Sequence, residues 1–420
     1  MSLVVIGVNN RTMPLDLFER FSIGEDALPK ALVSVLERRN ISEAVVLSTC
    51  NRAEVYVHAE KFHGAYQDVR DFLAETSQLA PENFNDYLYA HYDDDAIQHL
   101  FAVTCGLDSA IVGESEVQHQ VKVAWERARE EGSCGSIVNA AFRRALEVGK
   151  RVRTQTDISK NSSSIAQACV EMAQEHLGGF ANREILVVGA GEVGEGVATS
   201  LARLQDGHLF FVNRSFDRAA DLAKRVNGQA VPFEELNEIL TNSDALITST
   251  ASNSIVFDQA MLKKTMEDRE GRELLIVDIA VPRDVDPAAA KIEGITLLDI
   301  EALWSFRAQS PLISNNEEAL KARMIISQEV ERFLEQQSAR QVAPLIAGFR
   351  NGVEEIRQAE LKRFESRLAG LTDEQRDAVE SLTQGILGKV LHEPTIAMNE
   401  AAGSPRGDRL AEALRELFNI

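Results

Sequence analysis

Only four cysteines occur in the 420 residues: Cys50, Cys105, Cys134 and Cys169, scattered and without a C-x-x-C pair. A disulfide framework is excluded, and no zinc signature exists. Three of the four read as buried small hydrophobes. The eight histidines show no ligand spacing, so no metal is expected. No window supplies the 18 or so uncharged apolar residues that span a bilayer. The opening "MSLVVIGVNN" lacks the basic flank and cleavage site of a signal peptide, which predicts a cytoplasmic location. Positive charge is also scarce, with 44 Lys and Arg against 65 Asp and Glu and a net charge of −21. Such a surface argues against nonspecific binding of nucleic acid or membrane. The densest basic cluster is Arg143, Arg144, Lys150, Arg151 and Arg153. It reads either as a solvated helix face or as a phosphate-contacting patch.

What is present is ordinary in bulk: 45% hydrophobic and 26% charged residues, with length for about three domains. Residues 1 to about 155 predict an α+β fold. "LVVIGV", "AVVLST" and "EVYVHA" are strands, and helical periods run at 27–39, 66–76, 94–103, 116–131 and 136–154. In "VVLSTCNRAEVYV", Ala53, Val55 and Val57 alternate with Glu54, Tyr56 and His58, which predicts a half-buried strand after a polar break. Ser162, Ser163 and Ser164 offer N-caps ahead of a helix ended by glycines. Strands alternating with helices then follow, at "ILVVGA", "LFFVNR", "ALITST" and "LLIVDIA", predicting a doubly wound parallel sheet. From about residue 301 only helix is expected, with long amphipathic runs at 317–337 and 345–371 forming a bundle or a dimer interface.

Gly189-Ala190-Gly191-Glu192-Val193-Gly194 is a G-x-G-x-x-G between a strand and a helix, the context of a dinucleotide fingerprint. Its glycines allow a tight turn, approach of the pyrophosphate and close helix packing, with the helix N-terminus facing the anion. No P-loop lysine follows. An NAD site places a carboxylate about 20 residues on. Here the strand ends in Asn213, Arg214 and Ser215, which suit a 2′-phosphate and favour NADPH. Cys50 sits at a strand end two residues from Arg52, a cation expected to lower the thiol pKa. A thiol nucleophile beside a nicotinamide site suggests acyl transfer to sulfur and reduction of the thioester to an aldehyde. The alternative is a packed cysteine beside a surface arginine.

The motifs "GVNNRTMPLDLFERF", "STCNRAEVY", "GLDSAIVGESEVQHQVKVAW", "VVGAGEVGEGVA", "DIAVPRDVDP" and "LIAGFRNGVEEIRQAELKRF" together resemble the glutamyl-tRNA reductase family along essentially the whole chain. The resemblance implies NADPH-dependent reduction of glutamyl-tRNA(Glu) to glutamate-1-semialdehyde, the first step of five-carbon tetrapyrrole and porphyrin biosynthesis. It implies Cys50 as nucleophile and His99 as a second catalytic or else structural residue. Thr49, Asn51 and Arg52 would line the glutamate pocket, Arg52 as a bidentate carboxylate partner. Ser109, Glu114, Ser115, Glu116 and Gln120 would form a second substrate segment, Glu114 holding the α-ammonium. The family architecture is an α/β multidomain chain of V shape. Its α+β catalytic domain would be residues 1–158, its Rossmann-type NADPH domain 159–302, and its helical dimerisation domain, joined by a long spinal helix, 303–420. A homodimer and contact with the aminomutase that follows in the pathway are further implications. The chain departs from the family pattern at Asn10 (usually His), Glu116 (usually Gln) and His119 (usually Gly). Glu116 either repels a substrate carboxylate or is solvated. Two rivals are a small-metabolite oxidoreductase similar to shikimate dehydrogenases and a non-catalytic dinucleotide sensor.

Overall fold

In the computed structural model, residues 2–59, 62–109, 111–159, 164–204, 206–252, 254–308 and 316–418 are described. They divide into two compact units, Met1–Ile326 and Ser327–Ile420.

The first unit contains two sheets. Strands β1 (Ser2–Asn9), β2 (Ile41–Ser48), β3 (Arg52–Ala59) and β4 (Tyr89–Tyr92) form an antiparallel sheet in the order β2-β3-β1-β4. With it go helices α1 (Leu15–Phe18), α2 (Leu28–Leu36), α3 (Phe62–Ser77), α4 (Asp93–Thr104), α5 (Glu116–Glu130) and α6 (Ser136–Gln155). The alternation in 53–58 predicted one wet face on β3, yet every residue of that strand is buried. β3 is an interior strand with α3 and α6 both against it, and Tyr56 meets Phe142 of α6 edge-on at 5.1 Å. Its polar side chains are therefore internal, and each needs a partner. Glu43 ties β2 to α6 by accepting the backbone N–H groups of Ile137 and Val138 at that helix's start, where a carboxylate is electrostatically favoured.

The second sheet is parallel, with order β10-β9-β8-β5-β6-β7. Its strands are β5 (Glu184–Val188), β6 (His208–Val212), β7 (Gln229–Ala230), β8 (Ala245–Thr248), β9 (Leu274–Asp278) and β10 (Ile295–Asp299). Its helices are α7 (Ile165–Leu177), α8 (Glu192–Leu204), α9 (Phe216–Val226), α10 (Leu236–Asn242), α11 (Gln259–Asp268) and α12 (Ile300–Ala308). The continuous apolar strands reflect a sheet covered on both faces. Ile185 and Val187 enter one core cluster, while Leu186 and Val188 enter the other. The strand order reverses between β5 and β8, the switch point at which open α/β sheets bind ligands. Ser164 caps α7 by accepting the N–H of Gln167, and Gly178 ends it at φ 70°. The expected caps Ser162 and Ser163 lie outside the described residues.

The helical stretch departs from expectation at one point. The break predicted between 337 and 345 is absent: α13 runs unbroken over Asn316–Arg363 with Pro344 inside it. In the second unit follow α14 (Glu365–Leu368), α15 (Asp373–Ala401) and α16 (Pro405–Phe418). Thr372 and Gln375 form a capping box at the start of α15. Leu382, Ile386 and Val390 make an exposed apolar stripe on the same helix. Among the described residues no helix is long and apolar enough to cross a membrane.

Candidate active site

The stretch Thr49–Arg52 is the turn of the β2–β3 hairpin. Thr49 donates its N–H to the Arg52 carbonyl at 2.8 Å. Its Oγ1 accepts from the N–H groups of Asn51 and Arg52 at 3.1 and 3.2 Å. Asn51 is buried, and its Oδ1 accepts from Asn10 Nδ2 at 2.8 Å. Short polar side chains suit such a turn because they satisfy the backbone that the strands leave unpaired. The turn presents a half-buried Cys50, which packs against a core cluster of the parallel-sheet fold that includes Ala190 and Ile111.

Arg52 plays a different part from the one expected. Its side chain is 2% exposed. Nη1 donates to Glu54 Oε1 and to Asp108 Oδ2, both at 2.9 Å, and Nη2 donates to the Asp108 carbonyl at 2.6 Å. The guanidinium is thus closed on the protein's own acids, so the bidentate clamp on a substrate carboxylate is not available. Its charge does act to lower the thiol pKa, as expected, but is outweighed. Burial first, then the charges of Glu116 and Glu114, push the Cys50 thiol well above its ordinary value, and Arg52 opposes them least. Its charge is already balanced by Glu54 and Asp108.

Glu54 is the hub of this brace. Its carboxylate accepts from Arg52, from Tyr56 Oη at 2.6 Å and from Tyr89 Oη at 2.5 Å, and lies 2.7 Å from His99 Nε2. Burial alone would raise its pKa, but neighbouring His99 and Arg52 and the bonds from His99 and Tyr56 hold it well below the usual carboxylate range. His99 stacks on His91 at 4.7 Å. Its Nε2 is therefore committed to the brace, which favours the structural of its two expected roles. Arg11 extends the network by donating to Asp108 Oδ1 and to the Ser109 carbonyl.

The second segment follows α4. Gly113, at φ 85°, turns the chain so that buried Ser109 and Glu114 come beneath the hairpin turn. A Cβ on Gly113 would lie 2.4 Å from the Ile158 carbonyl oxygen. Burial raises the Glu114 pKa, against a bond from Ser109 and the charges of Arg52 and Arg153. Its Oε2 is buried without a partner, as befits an acceptor waiting for a ligand cation. Ser115 is exposed at the start of α5 and makes no capping bond. Glu116 accepts from Gln120 Nε2 at 3.3 Å, and burial, then Glu114 and Glu192, push its pKa up to about 7. Removing the Glu116 charge therefore lowers the thiol pKa. In Glu116→Gln, alkylation of Cys50 by iodoacetamide at pH 8 is expected to speed up by about threefold or more. An equal or slower rate shows that the carboxylate does not reach the sulfur.

The glycine turn fits a dinucleotide. Gly189 adopts φ 107°, and a Cβ there would lie 2.7 Å from the Ser249 carbonyl oxygen. A Cβ on Gly194 would lie 2.1 Å from the Gly189 carbonyl oxygen, whereas one on Gly191 would meet nothing within 4 Å. The open face at Gly191 and the N-terminus of α8 form the concavity a pyrophosphate needs. Asn213 accepts from the Ala190 N–H at 3.2 Å and donates to the Ser215 carbonyl, so it shapes the turn. Arg214, Ser215 and Arg218 are exposed beside it. Arg218, in the first turn of α9, was missed in the sequence, although it lies only four residues after Arg214. A cavity of about 810 Å³ joins the two folds, lined by Ser48, Glu116, His119 and Gln120 on one side and Gly189–Val193, Arg214, Ser215 and Arg218 on the other. Cys50 is not in its lining, though Ser48, two residues earlier, is. The departures Glu116 and His119 both face this cavity, whereas Asn10 supports the hairpin turn. Among the described residues no cluster of His, Cys, Asp or Glu could hold a metal.

The basic cluster is split. Arg143 and Lys150 are exposed, Arg144 donates to Glu147 and Arg151 to Gln155. Arg153 turns inward, donating to Gln118 and to the Glu114 carbonyl. It braces the Glu114 turn and is not part of a phosphate-facing patch.

Comparison with known proteins accounts for all three regions. Residues 6–156 match the N-terminal domain of glutamyl-tRNA reductase, 171–306 match shikimate/quinate 5-dehydrogenase, and 321–420 match the glutamyl-tRNA reductase dimerisation domain. The shikimate dehydrogenase likeness thus stops at the nucleotide-binding fold, which supports a pyridine nucleotide, and the last match supports a homodimer. A glutamyl-tRNA reductase of Desulforudis audaxviator is 37% identical over 421 residues, covering 100% of this chain and 94% of the relative. Glutamyl-tRNA reductase 2 of Koribacter versatilis is 36% identical over 420 residues, covering 100% and 95%. The solved structure of glutamyl-tRNA reductase from Methanopyrus kandleri matches 100% of this chain and 99% of its own at 30% identity, with a TM-score of 0.53. Matched over its whole length by relatives 36–37% identical, this chain belongs to the glutamyl-tRNA reductase family of oxidoreductases.

Proposed function

We propose that the chain reduces the ester of glutamyl-tRNA(Glu) to glutamate-1-semialdehyde with NADPH, through a thioester on Cys50. The observation that carries this reading is that Cys50 packs against the same core cluster as Ala190 of the glycine turn. That cluster reaches both the thiol turn and the glycine turn, and the cavity beside the glycine turn extends to Ser48, two residues before Cys50. In the first half-reaction Cys50 Sγ attacks the ester carbon. The S–C bond forms, the bond to the ribose oxygen breaks, and the thiol proton goes to that oxygen. In the second, NADPH supplies a hydride to the thioester carbon, the C–S bond breaks, and the sulfur regains a proton. A thioester suits this step because its carbonyl is more electrophilic than an ester's.

The protonated resting thiol assigns a role to the substrate itself. Its α-ammonium, seated at the unpartnered Glu114 oxygen, would offset the carboxylates that raise the thiol pKa. Thr49 and Asn51 hold the turn, Ser109 holds Glu114, and Gln120 holds Glu116. Arg214, Ser215 and Arg218 would take the 2′-phosphate. In Arg214→Ala/Arg218→Ala, KM for NADPH is expected to rise about tenfold or more while that for NADH barely moves. Equal effects on both would remove these residues from cofactor choice. We place the reaction in the cytoplasm at the head of tetrapyrrole synthesis, with tRNA approaching the Arg143 and Lys150 face and the aldehyde passing to the aminomutase.

The test is a single turnover in two stages. Full-length protein is mixed with glutamyl-tRNA carrying labelled glutamate, without cofactor, and NADPH is added afterwards. Label is expected on Cys50 first, and as trapped aldehyde on addition of NADPH. Released tRNA with no labelled protein overturns the thioester.

A further inference from the structure

Arg283 and Glu19 have no part in the reaction as written, yet they join the two folds of the first unit through three hydrogen bonds. Arg283 lies just beyond β9. Its backbone N–H and its Nε both donate to Glu19 Oε1, at 3.1 and 2.6 Å. Its Nη2 donates to Glu19 Oε2 at 3.1 Å and also to Asp16. The Arg283 and Glu19 side chains are only 15% and 16% exposed. A forked guanidinium on a largely buried carboxylate fixes direction as well as distance.

Each end of this pair leads to half of the candidate site. On one side, the 3₁₀ turn Glu19–Phe21 runs on to Ile23, whose N–H donates to Ser48 Oγ at 2.9 Å. Ser48 ends β2 directly before the turn that carries Cys50. On the other side, the next residue, Asp284, accepts from Thr248 Oγ1 at 2.6 Å, from the Thr250 N–H at 2.8 Å and from Thr250 Oγ1. Thr250 and Ser249 line the cavity beside Gly189. Hydrogen bonds joined by short stretches of backbone therefore lead from the thiol turn to Ser249, whose N–H donates to the Val188 carbonyl directly before Gly189, with Arg283 at the middle of the path.

We infer that the Arg283–Glu19 pair is a strut that holds the dinucleotide site at working distance from Cys50, making Arg283 a positioning residue for hydride transfer. The inference rests on the thioester reading. A thioester that hydride does not reach has one other fate in water: attack on its carbon, cleavage of C–S, and release of glutamate and free thiol. The strut therefore governs how the acyl group is partitioned and leaves acylation itself alone.

The test uses full-length Arg283→Met, with Glu19→Gln as a milder variant and the exchange Glu19→Arg/Arg283→Glu as rescue. Released tRNA, trapped aldehyde and free glutamate are counted in each, and amide exchange is read at Ile23 and Thr250. In Arg283→Met, aldehyde per tRNA released is expected to fall about tenfold or more, since small misplacements of reacting atoms cost that much. Glutamate makes up the difference, and NADPH affinity holds. Exchange at both amides is expected to rise about tenfold, and the exchange variant restores both readouts in part. An unchanged ratio of aldehyde to released tRNA overturns the strut. So does a parallel fall in both products, the mark of general unfolding. A wild-type protein that never carries glutamate on Cys50 removes the thioester reading, and the strut with it.

Discussion

Cys50→Ser is expected to lower aldehyde formation from glutamyl-tRNA by about a thousandfold or more, equivalent to about 4 kcal/mol or more of barrier. Two losses combine. A serine hydroxyl is a far poorer nucleophile than sulfur, and any ester it formed would resist hydride. His99 is no substitute base, because its Nε2 is bound to Glu54. Affinity for NADPH should be unchanged, since the glycine turn is built from β5, α8 and Asn213 without help from the sulfur. Product analysis together with a cofactor titration checks both halves. Aldehyde at the wild-type rate would take Cys50 out of the chemistry.

The largest expected loss of stability is at Glu54. Glu54→Ala leaves the Arg52 guanidinium buried, with Asp108 as its remaining carboxylate partner, and strands the hydroxyls of Tyr56 and Tyr89. Removing one partner from a buried charge network costs about 3–5 kcal/mol. The loss should appear in the urea transition of the unit Met1–Ile326, because a protein with two compact units need not unfold in one step. The pH dependence has a definite sign. The folded protein holds this carboxyl well below the usual carboxylate range, so its contribution is complete above the unfolded value of about 4.3. It fades progressively as pH falls below that value and is gone once pH is below the still lower folded value. The stability gap between wild type and Glu54→Gln should therefore stay level above about pH 5 and close in acid. A gap that widened in acid would contradict the assigned network.

These two results turn on how much the sequence could disclose. The glycine turn was legible because its chemistry is local: strand, turn and helix are contiguous, and each glycine has a steric reason to be one. Thr49–Arg52 was legible as a break between strands for the same reason. Its partners were not. Arg52 meets Asp108 and Arg283 meets Glu19 across 56 and 264 positions, and periodicity carries no information over such spans. The alternation in β3 also misled, because it indicates one wet face only where nothing covers that face. Here polar residues at alternate positions belong to an internal ionic network. Helix α13 was read as two amphipathic runs, yet it is continuous and carries Pro344 within it. β4 and β10 escaped notice as short strands in stretches without strong alternation.

The raised pKa of Cys50 bears on survival in air as well as on catalysis. Peroxide attacks thiolates, and the ladder from sulfenic to sulfonic acid begins only where the sulfur is deprotonated. Half-buried, and surrounded by Glu114 and Glu116 with Arg52 already neutralised, the sulfur is protonated while the site waits. On the proposed mechanism, a substrate cation would offset those charges. An enzyme that rests in this form can meet oxidants between turnovers with its nucleophile intact.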